Sequence, residues 1–175
     1  MATLLLSVLA LTTYVAVGGV NVNCPPHLVK NDNLREYGSS CYEFVLSHFE
    51  SWYKADADCK SRRGHLVSLN SFPEQTFILN TMQILGYHDD HGVWIGLTDH
   101  DGEGNWHWAD NTKPVFTNWA PGQPGMLSSN EDCAMLEFKD GTWHDYPCEG
   151  FFFFSQKHGW ICEYGQMSGQ WVNPK

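Results

Sequence analysis

The chain has 175 residues, of which 42% are hydrophobic and 14% are aromatic, and this length accommodates one ordinary globular domain. The apolar fraction is sufficient for a packed core, which argues against intrinsic disorder. Twenty acidic residues oppose ten basic ones, and the formal net charge is −10. We expect no nucleic-acid partner, because phosphate binding needs a surface rich in Lys and Arg.

An uncharged apolar segment occupies residues 1–19 and ends in small side chains. These features are typical of a signal peptide, although the basic residues that commonly begin one are missing. A membrane anchor is the alternative, but Ser7, Thr12 and Thr13 interrupt the apolar run. No later stretch approaches the ~20 apolar residues that cross a bilayer. We therefore expect a secreted, extracellular protein without a transmembrane anchor.

The cysteines support the same compartment, because an even number of cysteines in a secreted domain indicates disulfides. There are six, at positions 24, 41, 59, 133, 148 and 162. No Cys-x-x-Cys spacing occurs among them, which argues against a structural zinc knuckle. They predict three disulfides, and their spacing alone leaves the pairing open.

Two helices are predicted in the first half of the chain. The first spans Ser51 to Arg63, with Gly64 as its stop. The second spans Ser71 to Leu85, and Glu74 lies three residues after Ser71, which is the spacing of a capping box. Short β-type runs lie at 40–46, 93–97, 134–138 and 159–164. This order of elements predicts an α+β domain.

A long segment with little periodicity, residues 98–132, is rich in Gly, Pro, Asn and Asp and contains three tryptophans. Long ordered insertions in compact domains are usually functional. Thirteen acidic residues lie between positions 64 and 156, and only Lys113 and Lys139 oppose them. We therefore expect the functional site in this part of the chain.

Several motifs in this order resemble the signature of C-type lectin-like domains. They are Trp94-Ile95-Gly96-Leu97, Asn118-Trp119, Glu131-Asp132-Cys133, Trp143-His144-Asp145 and Trp160-Ile161-Cys162-Glu163. The resemblance covers residues 24–164 and leaves a short tail at 165–175. The loop that runs from Trp119 to Pro124 is most similar to that of invertebrate secreted lectins of the perlucin-like kind, which act in immunity or in shell matrix.

The resemblance implies an α+β fold of the long form, in which two helices pack on small antiparallel sheets beside a long Trp/Gly/Pro-rich loop region. It also implies the disulfides Cys24–Cys41, Cys59–Cys162 and Cys133–Cys148. The sequence contains no Gly-x-Ser-x-Gly, His-Glu-x-x-His or P-loop motif, so we expect no enzymatic activity.

The resemblance also implies a primary calcium site that binds sugar. Its five positions match Gln123, Gly125, Glu131, His144 and Asp145. Gln123, Glu131 and Asp145 supply the oxygen atoms that calcium prefers, whereas Gly125 has no side chain and His144 offers nitrogen. In the family, Gln-Pro-Asp accompanies galactose preference and Glu-Pro-Asn accompanies mannose preference. The triplet here, Gln123-Pro124-Gly125, is neither, but Gln123 keeps the amide that favours galactose-type selectivity.

An auxiliary calcium site of the family matches Asp99, Glu103, Glu131 and Asp132, with Met126 at a fifth position where it cannot be a ligand. Carboxylates held close together repel one another unless a cation is bound. Calcium is therefore the expected cofactor, and a glycan is the expected partner.

Three other readings stay open. Glu131, His144 and Asp145 form a nitrogen-plus-carboxylate set that would suit zinc. The segment His88-Asp89-Asp90-His91 is either a solvated turn or a metal site. Phe151 to Phe154 is either a buried strand or an apolar patch through which the chain could form oligomers.

The alternative function follows from the two substituted calcium positions. A lectin-like domain that has lost sugar coordination at Gly125 and His144 would bind protein, mineral or another surface instead.

Overall fold

The structure is a computed structural model that describes residues 23–88, 92–125, 130–150 and 156–165. The predictions for the signal peptide at 1–19, for residues 89–91, for Met126, for Phe151 to Phe154 and for the tail after Gly165 fall outside these ranges. None of the helices within the described ranges is long and apolar enough to cross a membrane.

The described residues form two helices and eight strands. In chain order they are β1 (Leu34–Tyr37), β2 (Ser40–Glu50), α1 (Trp52–Ser61), β3 (His65–Leu66), α2 (Phe72–Ile84), β4 (Val93–Thr98), β5 (His107–Trp108), β6 (Cys133–Leu136), β7 (Trp143–Tyr146) and β8 (His158–Gly165). The predicted α+β class and both predicted helices are confirmed. The short strands β1, β3, β5 and β7 were not predicted, because each is too short to show a period.

The strands belong to one hydrogen-bonded sheet, in the order β1-β2-β8-β4-β6-β7, with β3 beside β8 and β5 beside β4. Most neighbouring pairs are antiparallel, as predicted, but β4 and β8 run parallel, with Trp94 opposite Trp160. This parallel pair joins the half of the sheet around β2 to the half that carries β6 and β7. The long loop region leaves and re-enters the sheet between β4 and β6.

Helix α1 ends two residues earlier than predicted. The helix stops at Ser61, and the residue with left-handed backbone is Arg63, with φ of 65°, and not Gly64. Glycine is needed at position 64 for space, because a Cβ there would lie 2.5 Å from the ring of Tyr164 and 2.6 Å from the carbonyl oxygen of Glu163. The close approach of the helix end to β8 therefore explains this glycine.

Helix α2 begins as predicted, with one difference in its cap. The hydroxyl of Ser71 accepts a hydrogen bond from the backbone N–H of Glu74 at 3.3 Å. The Glu74 carboxylate accepts from the N–H of Asn70 at 2.7 Å, one residue before the position that a capping box uses. Its other oxygen accepts from the hydroxyl of Tyr42 at 2.7 Å, which ties the start of α2 to β2.

The structure forms the three disulfides that the family resemblance implies. Cys59–Cys162 joins α1 to β8 across 103 positions of sequence, and closing a loop of that length stabilises a fold by about 4–5 kcal/mol in the chain-entropy model. Cys133–Cys148 closes a span of 15 positions around β6 and β7. This shorter loop contains His144 and Asp145 and begins next to Asp132.

Replacing Gly64 by alanine is expected to destabilise the fold by roughly 1–3 kcal/mol, the usual cost of overfilling a packed site. The new methyl group would press on the Tyr164 ring and on the backbone of β8. Gly165→Ala is the matched control, since a Cβ there meets nothing within 4 Å. Urea unfolding of both variants measures the difference, and equal stability of the two would contradict the packing role of Gly64.

Candidate functional site

Strand β7 places two of its side chains in the interior, Trp143 and Asp145, and leaves His144 and Tyr146 half-buried. The loop region is hydrogen-bonded directly to this strand. The N–H of Trp143 donates to the carbonyl of Asn118 at 2.8 Å, and the N–H of Ala120 donates to the carbonyl of Trp143 at 3.0 Å. These bonds fix the start of the turn that carries Gln123 and Gly125 beside β7.

The indole of Trp143 is fully buried, and its Nε1 donates to Oε1 of Gln75 on α2 at 2.7 Å. Its ring lies edge-on to the ring of Trp108, with centroids 5.6 Å apart, and to that of Trp119 at 5.8 Å. Trp119 also meets Trp106 edge-on at 4.8 Å. Both Trp143 and Trp119 are therefore parts of one aromatic cluster, which favours a packing role over stacking on a sugar.

Three of the five predicted primary-site residues come together around the missing side chain of Gly125. A Cβ at that position would lie 3.6 Å from Oδ2 of Asp145, 3.6 Å from Oε2 of Glu131 and 3.8 Å from Oε1 of Gln123. The peptide bond between Gln123 and Pro124 is cis. The N–H of Gly125 donates to Oδ2 of Asp145 at 2.6 Å, so the turn and the strand meet at this carboxylate.

Two of these side chains hold oxygen atoms that are buried without a hydrogen-bond partner among the described residues. They are Oε1 of Gln123 and Oδ1 of Asp145. An unsatisfied buried acceptor costs free energy of about 1–3 kcal/mol, so such atoms call for a ligand or a specific explanation. Burial also raises the pKa of Asp145 above its ordinary value, because the charged form is desolvated. Oxygen donors of this kind fit calcium, and Gln123, Glu131 and Asp145 are the residues that would hold it.

His144 lies apart from this group of oxygens. Its Nε2 is 3.2 Å from Oγ1 of Thr142 and 3.5 Å from Oδ2 of Asp140. Alternation along β7 directs it to the face opposite Asp145. Glu131, His144 and Asp145 are not among the groups of described residues whose ligand atoms all lie within 4.8 Å of one another. The structure therefore gives no support to zinc at these three residues.

The auxiliary positions are only partly assembled. Asp99 is buried, its Oδ2 accepts from the N–H of Gly104 at 2.7 Å, and its Oδ1 has no hydrogen-bond partner in the part of the chain that the structure describes. Burial raises the pKa of Asp99, and the charge of Asp132 raises it further. No three of the matched carboxylates, Asp99, Glu103, Glu131 and Asp132, gather ligand atoms within 4.8 Å in the described ranges.

Sequence reasoning did not identify the residues that anchor the loop. Nε2 of Gln75 and Nδ2 of Asn118 both donate to the carbonyl of Gly141, each at 2.8 Å. Asn118 was noted as part of a motif, but Gln75 is one of several polar residues on α2 and carried no signal.

The fold and the oxygens around Gly125 define a C-type lectin-like domain. The profile of the Lectin C-type domain family matches residues 49–164, and the chain belongs to this family. The family and its fold are those of non-enzymatic carbohydrate-binding domains, which confirms the expectation that the chain is not an enzyme. The finer likeness to perlucin-like lectins stays a prediction.

Relatives and solved structures agree with this assignment. Hepatic lectin of Gallus gallus is 38% identical over 110 residues, which cover 62% of this chain and 49% of that protein. Asialoglycoprotein receptor 1 of Rattus norvegicus is 36% identical over 153 residues, covering 83% of this chain and 46% of the receptor. The carbohydrate-recognition domain of the mouse scavenger receptor C-type lectin superimposes with a TM-score of 0.64 at 32% identity, covering 82% of this chain and 98% of that domain. The chain thus spans about half the length of these two curated relatives.

Asp145→Asn is expected to be at least as stable as wild type in chelator and less stable than wild type in calcium. Burial raises the pKa of Asp145 in the folded chain. Its protonated carboxyl group therefore stabilises the fold at a pH below the ordinary pKa of 3.8, and this contribution is lost as the pH rises through the raised pKa. In chelator at pH 7 the variant should therefore be at least as stable as wild type. At 10 mM calcium, only wild type should gain roughly 1.4–2.7 kcal/mol, given a typical extracellular dissociation constant of about 10⁻⁴–10⁻³ M.

Thermal unfolding at pH 4, 5.5 and 7, in chelator and in calcium, measures both effects. Glu149→Gln is the control, because Glu149 is an exposed acid of the same region. An Asp145→Asn variant that gains as much from calcium as wild type does would contradict the assignment of Asp145 as a ligand.

Proposed function

We propose that the chain is a secreted, calcium-dependent carbohydrate-binding protein with galactose-type preference, and that its site is formed by Gln123, Glu131 and Asp145. The observation that carries this proposal is the convergence around Gly125 of one oxygen from each of the three side chains. Among the described residues, the converging Oε1 of Gln123 and the second carboxylate oxygen of Asp145, Oδ1, are buried without a hydrogen-bond partner. Secretion rests on the apolar segment at residues 1–19.

The three side chains have different roles in sugar recognition because their chemistry differs. When bound, calcium supplies open coordination positions for two neighbouring sugar hydroxyls. Glu131 and Asp145 supply negative charge to the cation and accept hydrogen bonds from hydroxyl groups. Gln123 is the one side chain of the three that can both ligate through oxygen and donate through its amide N–H. This mixed character is the basis for expecting galactose-type selectivity.

The relatives support a sugar ligand by their names, which are those of a hepatic lectin and of an asialoglycoprotein receptor. The solved mouse relative is a carbohydrate-recognition domain, and the match covers nearly all of it. These properties belong to those proteins, and their transfer to this chain is part of the proposal.

The alternative is a lectin-like domain that binds protein, mineral or another surface without coordinating sugar. Two observations favour it. Gly125 removes one ligand, and the imidazole of His144 is engaged by Thr142 and Asp140 and not by the oxygens around Gly125. Only three of the five side chains then remain for a cation that prefers six to eight oxygen ligands.

Retention on immobilised galactose and mannose, as calcium is titrated and then removed with chelator, separates the two functions. The proposed function requires retention on galactose that rises with calcium and is abolished by chelator. Retention on neither sugar under any calcium concentration would favour the alternative.

Gly125→Asp is expected to strengthen calcium-dependent binding to galactose by roughly tenfold, or about 1.4 kcal/mol, because it restores a missing carboxylate. Among the described residues there is room for it, since a Cβ at position 125 makes only ordinary contacts with them, none closer than 3.6 Å. Gly125→Ala is the matched control, which fills the same space without adding a ligand.

Calorimetric titration with galactose, at fixed calcium, compares the two variants with wild type. Equal galactose affinities of Gly125→Asp and Gly125→Ala would show that the missing side chain at position 125 does not limit sugar binding. The substitution at His144 would then be tested next, as His144→Asn.

A further inference from the structure

A second group of candidate metal ligands lies at the start of the long loop region and shares no residue with the group around Gly125. It contains His100 and Asp101, which follow β4, and His107, which begins β5. Nε2 of His100 is 3.0 Å from Oδ1 of Asp101, and Nε2 of His107 is 3.7 Å from Oδ2 of the same carboxylate. Ligand atoms of the three residues all lie within 4.8 Å of one another.

The hydrogen bonds of the two rings determine which nitrogen carries the proton. Nδ1 of His107 is 3.2 Å from the carbonyl oxygen of Asn105, which can only accept, so Nδ1 is the donor. Nδ1 of His100 is 3.1 Å from Oγ1 of Thr98, whose own hydrogen is donated to the carbonyl of Asp132 at 2.6 Å. His100 must therefore donate to this hydroxyl as well.

With Nδ1 as the donor in both rings, Nε2 is the nitrogen of each ring that faces the carboxylate of Asp101. A lone pair and a carboxylate oxygen at 3.0 Å repel each other unless a proton or a cation lies between them. Histidines that bind metals through one nitrogen commonly donate a hydrogen bond from the other to a carbonyl or hydroxyl, which fixes the ring. The outer bonds to Thr98 and Asn105 are of this type.

The distances suit a small transition-metal ion. Ligands at 2.0–2.1 Å from a tetrahedral zinc ion lie about 3.3–3.4 Å apart. The separations here, 3.0 Å from His100 Nε2 to Oδ1 of Asp101 and 3.7 Å from His107 Nε2 to Oδ2, lie on either side of that value. Two imidazole nitrogens and one carboxylate suit zinc, whereas calcium prefers oxygen alone.

The three residues line a cavity of about 280 Å³, so a metal ion and a fourth ligand have access from solvent. Asp56 lines the same cavity and has one buried oxygen without a hydrogen-bond partner in the described ranges. Its other oxygen pairs with Lys60 at 2.7 Å, so the charge it adds is partly offset.

We propose that His100, Asp101 and His107 bind one zinc ion, with a fourth position open to solvent or to a ligand. The ion would connect the end of β4 to β5 and so hold the beginning of the loop region. This site is separate from the calcium site of the proposed function and does not depend on it.

Calorimetric titration of the 175-residue chain with zinc chloride, in buffer already saturated with calcium, tests the proposal. One zinc ion per chain is expected. His100→Gln/His107→Gln should abolish this binding, and Asp101→Asn should weaken it by about tenfold or more. Asp101 is 67% exposed at its side chain, so its replacement is not expected to affect folding, and thermal unfolding checks all variants.

Two histidine controls make the test specific. His48→Gln removes an exposed histidine, and His144→Gln removes the half-buried histidine on β7; both should bind zinc as wild type does. Cobalt added in place of zinc should give the visible absorption of a tetrahedral ion in wild type and in both controls, but not in His100→Gln/His107→Gln. Zinc binding that survives in the double variant, or that is lost equally in His144→Gln, would overturn the proposal. So would the absence of zinc binding in wild type, since the rings would then share a proton with Asp101.

Discussion

The burial of Trp143 is the interaction on which the candidate site depends. Its indole donates to Gln75 of α2, and its backbone bonds on both sides to the segment that contains Asn118 and Ala120. One residue thereby joins a helix, a strand and the long loop region. Asp145 is two positions further along the same strand and faces the same side, so the packing of the tryptophan determines where this carboxylate lies. The position of the site is thus set by an apolar residue that has no ligand chemistry of its own.

The loop region as a whole is organised by aromatic packing and not by regular secondary structure. Trp106, Trp108 and Trp119 form a continuous cluster with Trp143. Such edge-on pairs add about 0.5–1.5 kcal/mol each beyond the burial of their area. A segment with little hydrophobic periodicity can therefore be held in one conformation.

Much of the architecture could be predicted from the sequence because the relevant signals are local. The cap at Ser71 is a short-range pattern, and both helices were found from such patterns. The end of α1 was misassigned because a glycine can be required either by its backbone angle or by its lack of a side chain. Gly64 belongs to the second kind, and only the approach of Tyr164, a hundred positions later in the sequence, reveals it.

The candidate site was likewise predictable from the sequence only in part. The family pattern predicted that Gln123, Glu131 and Asp145 belong together, and the structure brings their oxygens around Gly125. The pattern could not show that His144 points to Asp140, since that depends on strand alternation and on a local ion pair. It also did not draw attention to His100 and His107. Their closeness results from the antiparallel pairing of β4 with β5, in which Thr98 lies opposite His107.

The place of β8 in the sheet has a consequence for how the chain is made. This final strand, His158–Gly165, lies between β2 and β4, and it also pairs with β3. During synthesis from the amino terminus, the two halves of the sheet have no strand to join them until residue 165 has left the ribosome. The thiol of Cys59 likewise has no native partner until Cys162 has been added. The sheet of this domain therefore cannot be completed before β8 has been made, and its other buried strands stay open to aggregation until then.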